Sequence, residues 1–201
     1  RQVVMAGPNF ALELLEQKFT AVTLAGAEKD ARDVANLFEN CHFLRPYVSL
    51  DIIGVQVGGA VRHVMAIAAG IADGMGQGMN AQAAIMCRGL SEMGRLAEAM
   101  GGKAETLSGL AGLGEMIVHA PSKFSRNYRF GVALGQGKNI ENAEAEIGVV
   151  EGIPTAKMMA YHAAANGLDL AIVSAIDGIL NGDLTPEQAF DYLKQRPTSN
   201  E

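Results

Sequence analysis

Two adjacent side chains that can carry charge, Arg62 and His63, stand near the middle of Ile52 to Ala72, a stretch otherwise made almost wholly of apolar residues and glycine. A helix apolar on every face is a buried helix. A soluble protein buries a guanidinium where a carboxylate or another anion meets it, because an unpaired buried charge is costly. The pair therefore marks either an internal anion site or an arginine-carboxylate bond that holds the helix in place. Further along, Glu115 is a carboxylate set among small and apolar residues in the run from Gly109 to His119. The segment from Pro121 to Phe130 then gathers Lys123, Arg126 and Arg129 with Ser125 and Asn127. Ser125 is placed to cap a helix whose first turn holds Arg126 and Asn127. Helix N-termini offer free N–H groups and a favourable dipole to phosphates, and an arginine there adds bidentate donors. The plainer reading of the same residues is a capped, basic surface turn.

Other patterns carry less chemistry. Asp73 to Asn80 holds three spaced glycines that permit a tight reversal, but no Lys-Ser or Lys-Thr follows as a phosphate-cradling P-loop requires. Cys41 and Cys87 lie far apart, without CxxC spacing or a histidine pair, so neither a metal site nor a disulfide is expected and both thiols are read as reduced. Arg88, Glu92, Arg95 and Glu98 recur at helical spacing and read as a solvated or interface ion-pair stripe. Met75, Met79, Met86, Met93 and Met100 read as core filler.

These residues need elements to hold them. The chain has 201 residues, 49% hydrophobic and 19% charged, enough to bury a real core in one domain or one domain plus a fragment. Tryptophan is absent and the apolar volume is carried largely by aliphatic residues and ten methionines, a helix-rich palette. A net charge of −6 argues against a nucleic-acid or anionic-membrane surface. No charged-then-apolar leader opens the chain, and Arg62 and His63 make the long apolar stretch a poor membrane span, so a soluble, cytoplasmic protein is expected.

Short β-rich runs at Val3–Ala6, Thr20–Leu24 and Phe43–Ser49 alternate with amphipathic patterns at Phe10–Gln17 and Lys29–Glu39. They read as the closing edge of a larger α/β sheet whose N-terminal portion is missing. From about residue 51 the pattern is helices broken by glycine-rich turns. Asn80 is placed to cap a helix running from Ala81 to Met100. Gly148 to Gly152 reads as a mobile connector, and Pro154 as the start of a helix that Gly167 ends. A helix over Leu170–Leu180 follows, then one opened by the capping signal Thr185-Pro186-Glu187-Gln188 and running to about Lys194. The polar tail Arg196–Glu201 is expected to fray.

Taken together, Gly7-Pro8-Asn9-Phe10-Ala11, Gly54 to Val61, Gly70 to Gly74, Arg88 to Met93, Gly109 to Gly114, Ser125-Arg126-Asn127 and Val149 to Gly152 resemble the bacterial-type NAD(P)-dependent glycerol-3-phosphate dehydrogenases, in collinear order over nearly the whole chain. The resemblance implies a mainly α fold. Residues 1–50 would be the closing strands and helices of a truncated Rossmann domain. Residues 51–201 would be an all-helical, 6-phosphogluconate-dehydrogenase-like domain for substrate binding and dimerisation. It further implies reduction of dihydroxyacetone phosphate to sn-glycerol 3-phosphate with NAD or NADP as cofactor, feeding phospholipid synthesis, in a cytoplasmic homodimer. By position, Gly7, Asn9 and Glu115 would lie at the substrate, and Ser125, Arg126 and Asn127 at its phosphate. Ala11, Arg126, Val149 and Glu151 would meet the cofactor. Asn9 stands where the family usually has Ser or Thr, and Glu115 where it has Asp.

The sharpest departure is in the buried helix. The family motif Gly-Gly-Ala-x-Lys-Asn, whose lysine exchanges the proton at the substrate oxygen, here reads Gly58-Gly59-Ala60-Val61-Arg62-His63. Arginine can stabilise an alkoxide but does not serve as a general base, while His63, of a suitable residue type, projects about 100° away on an ideal helix. A lysine from an upstream domain is the other replacement. Two alternatives remain. One is a helical module kept for dimerisation or for binding glycerol 3-phosphate, and the other is a related hydroxyacid dehydrogenase, whose family also places a lysine after a glycine pair.

Overall fold

The computed structural model describes residues 2–197. Its elements in chain order are β1 (Val3–Ala6), α1 (Ala11–Leu15), β2 (Thr20–Gly26), α2 (Glu28–Asn36), β3 (Leu44–Ser49), α3 (Ile52–Gly74), α4 (Gly78–Ala99), α5 (Ala104–Leu107), a π-helical turn (Leu110–Gly114), α6 (Glu115–His119), α7 (Arg126–Gly135), α8 (Ile140–Ile147), α9 (Gly152–Asn166), α10 (Ala171–Leu180) and α11 (Pro186–Lys194). The fold is mainly α with a small α/β segment before it, as the composition and periodicity indicate. The three expected strands form one sheet in which β2 is central, antiparallel to β1 and parallel to β3.

The chain divides into two compact units, Arg1–Arg62 with Met93–His119, and His63–Glu92 with Ala120–Glu201. The divisions fall within α3, between Arg62 and His63, and within α4, between Glu92 and Met93.

In the sheet-bearing unit, Ala6, Ala25, Val55 and Ala111 form a buried cluster flanked by Val4 and Ile52. Asp51 ties the start of α3 to α5 and the residue before it. Its Oδ1 accepts from the Gly54 N–H at 2.8 Å, and its Oδ2 accepts from the Lys103 N–H at 3.0 Å and the Thr106 hydroxyl at 2.6 Å. Burial pushes the Asp51 carboxyl up, but these donors outweigh it and leave the group below the ordinary carboxylate value. A methyl group on Gly58 would stand 2.1 Å from the Ala111 carbonyl oxygen, so α3 and the π-helical turn meet backbone to backbone there.

In the helical unit, every residue from Val64 to Ala72 is buried, the outcome expected of a helix apolar all round. Among the described residues α3 is also the one helix long and apolar enough, by length and composition, to cross a membrane. It crosses α7 through facing glycines. A methyl on Gly70 would lie 2.2 Å from the Tyr128 carbonyl oxygen, and one on Gly131 would lie 2.2 Å from that of Ile67. Gly74 and Gly135 stand in the same relation to Val132 and Ile71, each at 2.3 Å. Small residues at such a crossing let two backbones approach more closely than side chains normally allow.

Several local expectations require correction. Asn80 does not cap α4, because the reversal is completed at Gly76 and Gly78, both with positive φ, and the helix begins at Gly78. Glu92 is not part of a solvated stripe. It is buried, and its carboxylate accepts from the Ile172 and Val173 N–H groups at 2.8 and 3.2 Å, supplying the cap that Leu170 cannot. Met93 is fully buried, but Met79 and Met100 are exposed. α9 starts at Gly152, with Pro154 inside its first turn, where a missing N–H costs nothing. α8, capped by Asn139, adds a helix where none was expected. Thr185 and Gln188 form the expected capping box, and Gly167 ends α9 in the left-handed conformation. Of the tail expected to fray, Arg196 bonds the Tyr192 hydroxyl and pairs with Asp169, and residues 198–201 lie outside the described ones.

Candidate functional site

The residues singled out above gather in two clusters, one in each unit. The first is centred on Glu115, which α6 presents directly after the π-helical turn. Its side chain is 2% exposed. Oε1 accepts from the Gly7 N–H at 2.9 Å and from Arg62 Nη1 at 3.1 Å. Gly7 turns the chain out of β1 with φ 147°, and a methyl there would press on the Ala21 carbonyl oxygen at 3.0 Å. Gly59 stands one turn before Arg62 on α3, and a methyl at that position would make ordinary contact with Nη1 at 3.5 Å. Of the two readings of Arg62, the structure supplies the arginine-carboxylate bond. The guanidinium keeps further donors, and its buried Nε has no hydrogen-bond partner.

His119 completes this cluster and was not singled out from the sequence. Its Nδ1 lies 3.0 Å from the Glu115 backbone oxygen and 3.0 Å from Glu115 Oε2. Oε2 itself has no hydrogen-bond partner, so the ring nitrogen is bonded to the backbone oxygen and stands beside the carboxylate as a close polar neighbour. Phe10 packs against the His119 ring with centroids 5.0 Å apart. The i, i+4 spacing of Glu115 and His119 is the signal that could have found it. In the same unit Asn9 is partly buried and Ala11 opens α1 exposed to solvent.

The second cluster is built on the N-terminus of α7. Ser125 caps the helix as expected, its hydroxyl accepting from the Tyr128 N–H at 3.3 Å. Arg126 and Asn127 occupy the first turn, where backbone N–H groups lack intrahelical acceptors. Asn127 is buried, and its Oδ1 accepts from the Gly152 N–H at 2.8 Å. Because a backbone N–H can only donate, this bond fixes which end of the carboxamide is oxygen. Nδ2 therefore donates to His63 Nδ1 at 2.9 Å, with a longer contact of 3.4 Å to Glu151 Oε2. Arg126 pairs with Glu151 Oε1. Burial pushes the Glu151 carboxyl up, but backbone and Asn127 donors together with Arg126 and His63 outweigh it and hold the group below its ordinary value. Val149 is 69% exposed, and Gly148, with φ 85°, faces open space.

The structure thus brings Gly7, Arg62 and Glu115 together, and separately brings Ser125, Arg126, Asn127 and Glu151 together with His63. His63 does not share the Glu115 hydrogen bond that Arg62 makes. It serves Asn127 in the other cluster, as the angle between successive helical residues requires. The first cluster can hold a neutralised guanidinium with donors to spare. The second can offer a cation, free N–H groups and a helix dipole to an anion.

Comparison with known proteins places these clusters in context. Residues 51–191 match the family described as NAD-dependent glycerol-3-phosphate dehydrogenase C-terminus. The chain is 44% identical over 195 residues to the glycerol-3-phosphate dehydrogenase [NAD(P)+] of Rhodospirillum rubrum, covering 96% of this chain and 56% of that protein. It is 45% identical over 194 residues to the protein of the same name from Leptothrix cholodnii, covering 96% and 58%. Among solved structures, the glycerol-3-phosphate dehydrogenase of Coxiella burnetii superposes with a TM-score of 0.90 at 39% identity, over 96% of this chain and 60% of that one. The chain spans a little over half the length of these relatives.

Proposed function

Because the chain belongs to the NAD-dependent glycerol-3-phosphate dehydrogenase family, through its C-terminal region, we propose that it forms the substrate-binding part of an enzyme interconverting dihydroxyacetone phosphate and sn-glycerol 3-phosphate with NAD or NADP. In this reading residues 1–50 close a nucleotide-binding domain. Residues 51–201 bind substrate and pair with a second copy, in a soluble cytoplasmic protein whose α3 is a core helix. The observation that carries it is the α7 N-terminus, where a capped helix start, Arg126 and Asn127 coincide at the positions the family resemblance assigns to the substrate's phosphate.

Residues near this terminus also fit a dinucleotide, since Arg126 keeps a 47% exposed side chain and the adjoining segment at Gly148 and Val149 is open. A bound nicotinamide cofactor supplies or accepts the hydride. The protein's part is to hold the substrate and manage charge and proton at its oxygen. Arg62, anchored by Glu115, aims its remaining donors at the substrate oxygen and stabilises negative charge there, while Gly7 and Asn9 shape the same side. Arg62 does not take the proton, so the step that general acid–base catalysis normally speeds by about two to four orders of magnitude is slowed.

The test is dihydroxyacetone-phosphate-dependent oxidation of NADH and NADPH by the natural-length chain and its Arg62→Lys variant. The lysine variant is expected to raise kcat by about a hundredfold, and equal rates for the two proteins refute the assigned role. The 201-residue chain alone is expected to show no turnover. The Arg62–Glu115 bond itself favours a second reading, a non-catalytic module that binds glycerol 3-phosphate. Binding without turnover by both full-length proteins selects it.

A further inference from the structure

His63 stands where the family resemblance places an asparagine, and its ring is engaged in a way that depends on its protonation state. The Gly152 N–H fixes Asn127 Oδ1 as the acceptor at 2.8 Å, so the group 2.9 Å from His63 Nδ1 is an NH2 donor. Nδ1 is then an acceptor without a proton, and the neutral ring carries its hydrogen on Nε2. A proton on Nδ1 would set two donors against each other. Turning the carboxamide over would restore a bond to His63 but place NH2 against the Gly152 N–H. One bond or the other is lost in either orientation.

The packing around Asn127 leaves little room to absorb the conflict. A methyl group on Gly152 would stand 2.9 Å from Asn127 Oδ1 and 2.9 Å from the His63 carbonyl oxygen. Glu151, from the segment leading into α9, couples electrostatically to His63 and is paired with Arg126 of α7. On its own helix the neighbouring guanidinium of Arg62 is held by Glu115. Proton uptake by His63 therefore offers Glu151 a second cation to compete with Arg126 while removing an acceptor from Asn127.

We infer that His63 is a pH-sensitive positioning residue, whose neutral imidazole holds Asn127 and the Glu151–Gly152 segment in the arrangement that receives the substrate's phosphate, and whose protonation at Nδ1 releases that arrangement. This rests on the proposed reading of the α7 N-terminus as a phosphate site. His63 acts through Asn127 and does not touch the reacting atoms. The loss of that arrangement outweighs the positive charge the ring gains beside the site, so anion binding weakens in mild acid, where a protein with asparagine at this position has no such dependence.

The experiment uses the natural-length chain, His63→Asn and His63→Gln. Nitrogen-15 NMR reads the protonation of the His63 ring and the Gly152 amide against pH. Calorimetry reads the affinity for sn-glycerol 3-phosphate at about pH 7.5 and about pH 5.5, either side of the ordinary histidine range. The phosphate itself titrates near pH 6, and the variants cancel that contribution. The expected result is an unprotonated Nδ1 at the higher pH and a Gly152 amide that shifts with the ring's titration. The parent's affinity should fall about tenfold further between the two pH values than that of either variant. A proton on Nδ1 at the higher pH, or parallel pH dependence in all three proteins, overturns the inference. Absence of binding by all three while ring and amide titrate together overturns the phosphate reading, and leaves the coupling of His63 to Asn127 and Gly152 supported.

Discussion

Glu115 and Glu151 each face an arginine, yet the Glu115 side chain is 2% exposed and that of Glu151 is 41% exposed. Glu115 lies beside the His119 ring and accepts from a backbone N–H and a guanidinium, so its desolvation is offset only while those two donors stay in place. Glu151 and Arg126 remain in contact with water, gain little from each other and can exchange partners at low cost. The closed cluster is therefore suited to hold a guanidinium at a fixed point, and the open one to meet an incoming anion.

The largest test of this contrast is Glu115→Ala. It strands Arg62 and the Gly7 N–H, and is expected to cost about 3–5 kcal/mol of stability in urea unfolding. A loss below about 1 kcal/mol would place Glu115 with the exposed pairs.

Asp51 sharpens the contrast within the sheet-bearing unit. Asp51→Ala removes a helix cap and two cross-ties and is expected to cost about 2 kcal/mol near neutral pH. The folded carboxyl titrates below its ordinary value, so its contribution is fully present above the unfolded carboxylate range and is lost as pH falls through the folded value. Parent and variant should therefore converge in acid, below the ordinary aspartate value of 3.8. A gap in unfolding free energy that stays constant down to about pH 2.5 would show that the ionised form is not what matters.

The smallest effect on folding is expected at the open cluster. Arg126→Ala should change stability by no more than about 0.5 kcal/mol, while weakening glycerol 3-phosphate binding about tenfold or more through loss of a charge-assisted donor. Isothermal titration beside thermal unfolding reads both, and a large stability loss with unchanged binding would reverse the roles assigned to the two clusters.

What could be read from sequence was local. The all-round apolar run announced a buried α3, Ser125 and Thr185 announced helix starts, and β-branched runs announced the strands, because each signal lies within a few residues of its consequence. The bonds that define the clusters join positions far apart in the chain, Gly7 to Glu115 and His63 to Asn127, and no spacing rule supplies them. Glu92 was misread for the same reason. Its helical spacing to Arg88 and Arg95 is real, but two N–H groups of α10 eighty residues away decide its environment. Arg62 was legible as a residue needing an anion, though not as one already bound to Glu115.

The glycine crossing of α3 and α7 has a metrological consequence. Counting back two turns from Gly70 along α3 reaches His63, and counting back one turn from Gly131 along α7 reaches Asn127, so the bonded pair lies on the faces the glycines bring together. Side-chain interfaces drift as their residues are exchanged for larger or smaller ones, but a seam of main chain has no rotamers and no volume to adjust. The separation of the two backbones that carry His63 and Asn127 is thus gauged by main-chain contact one to two turns away, and the side chains have only their own reach left to close.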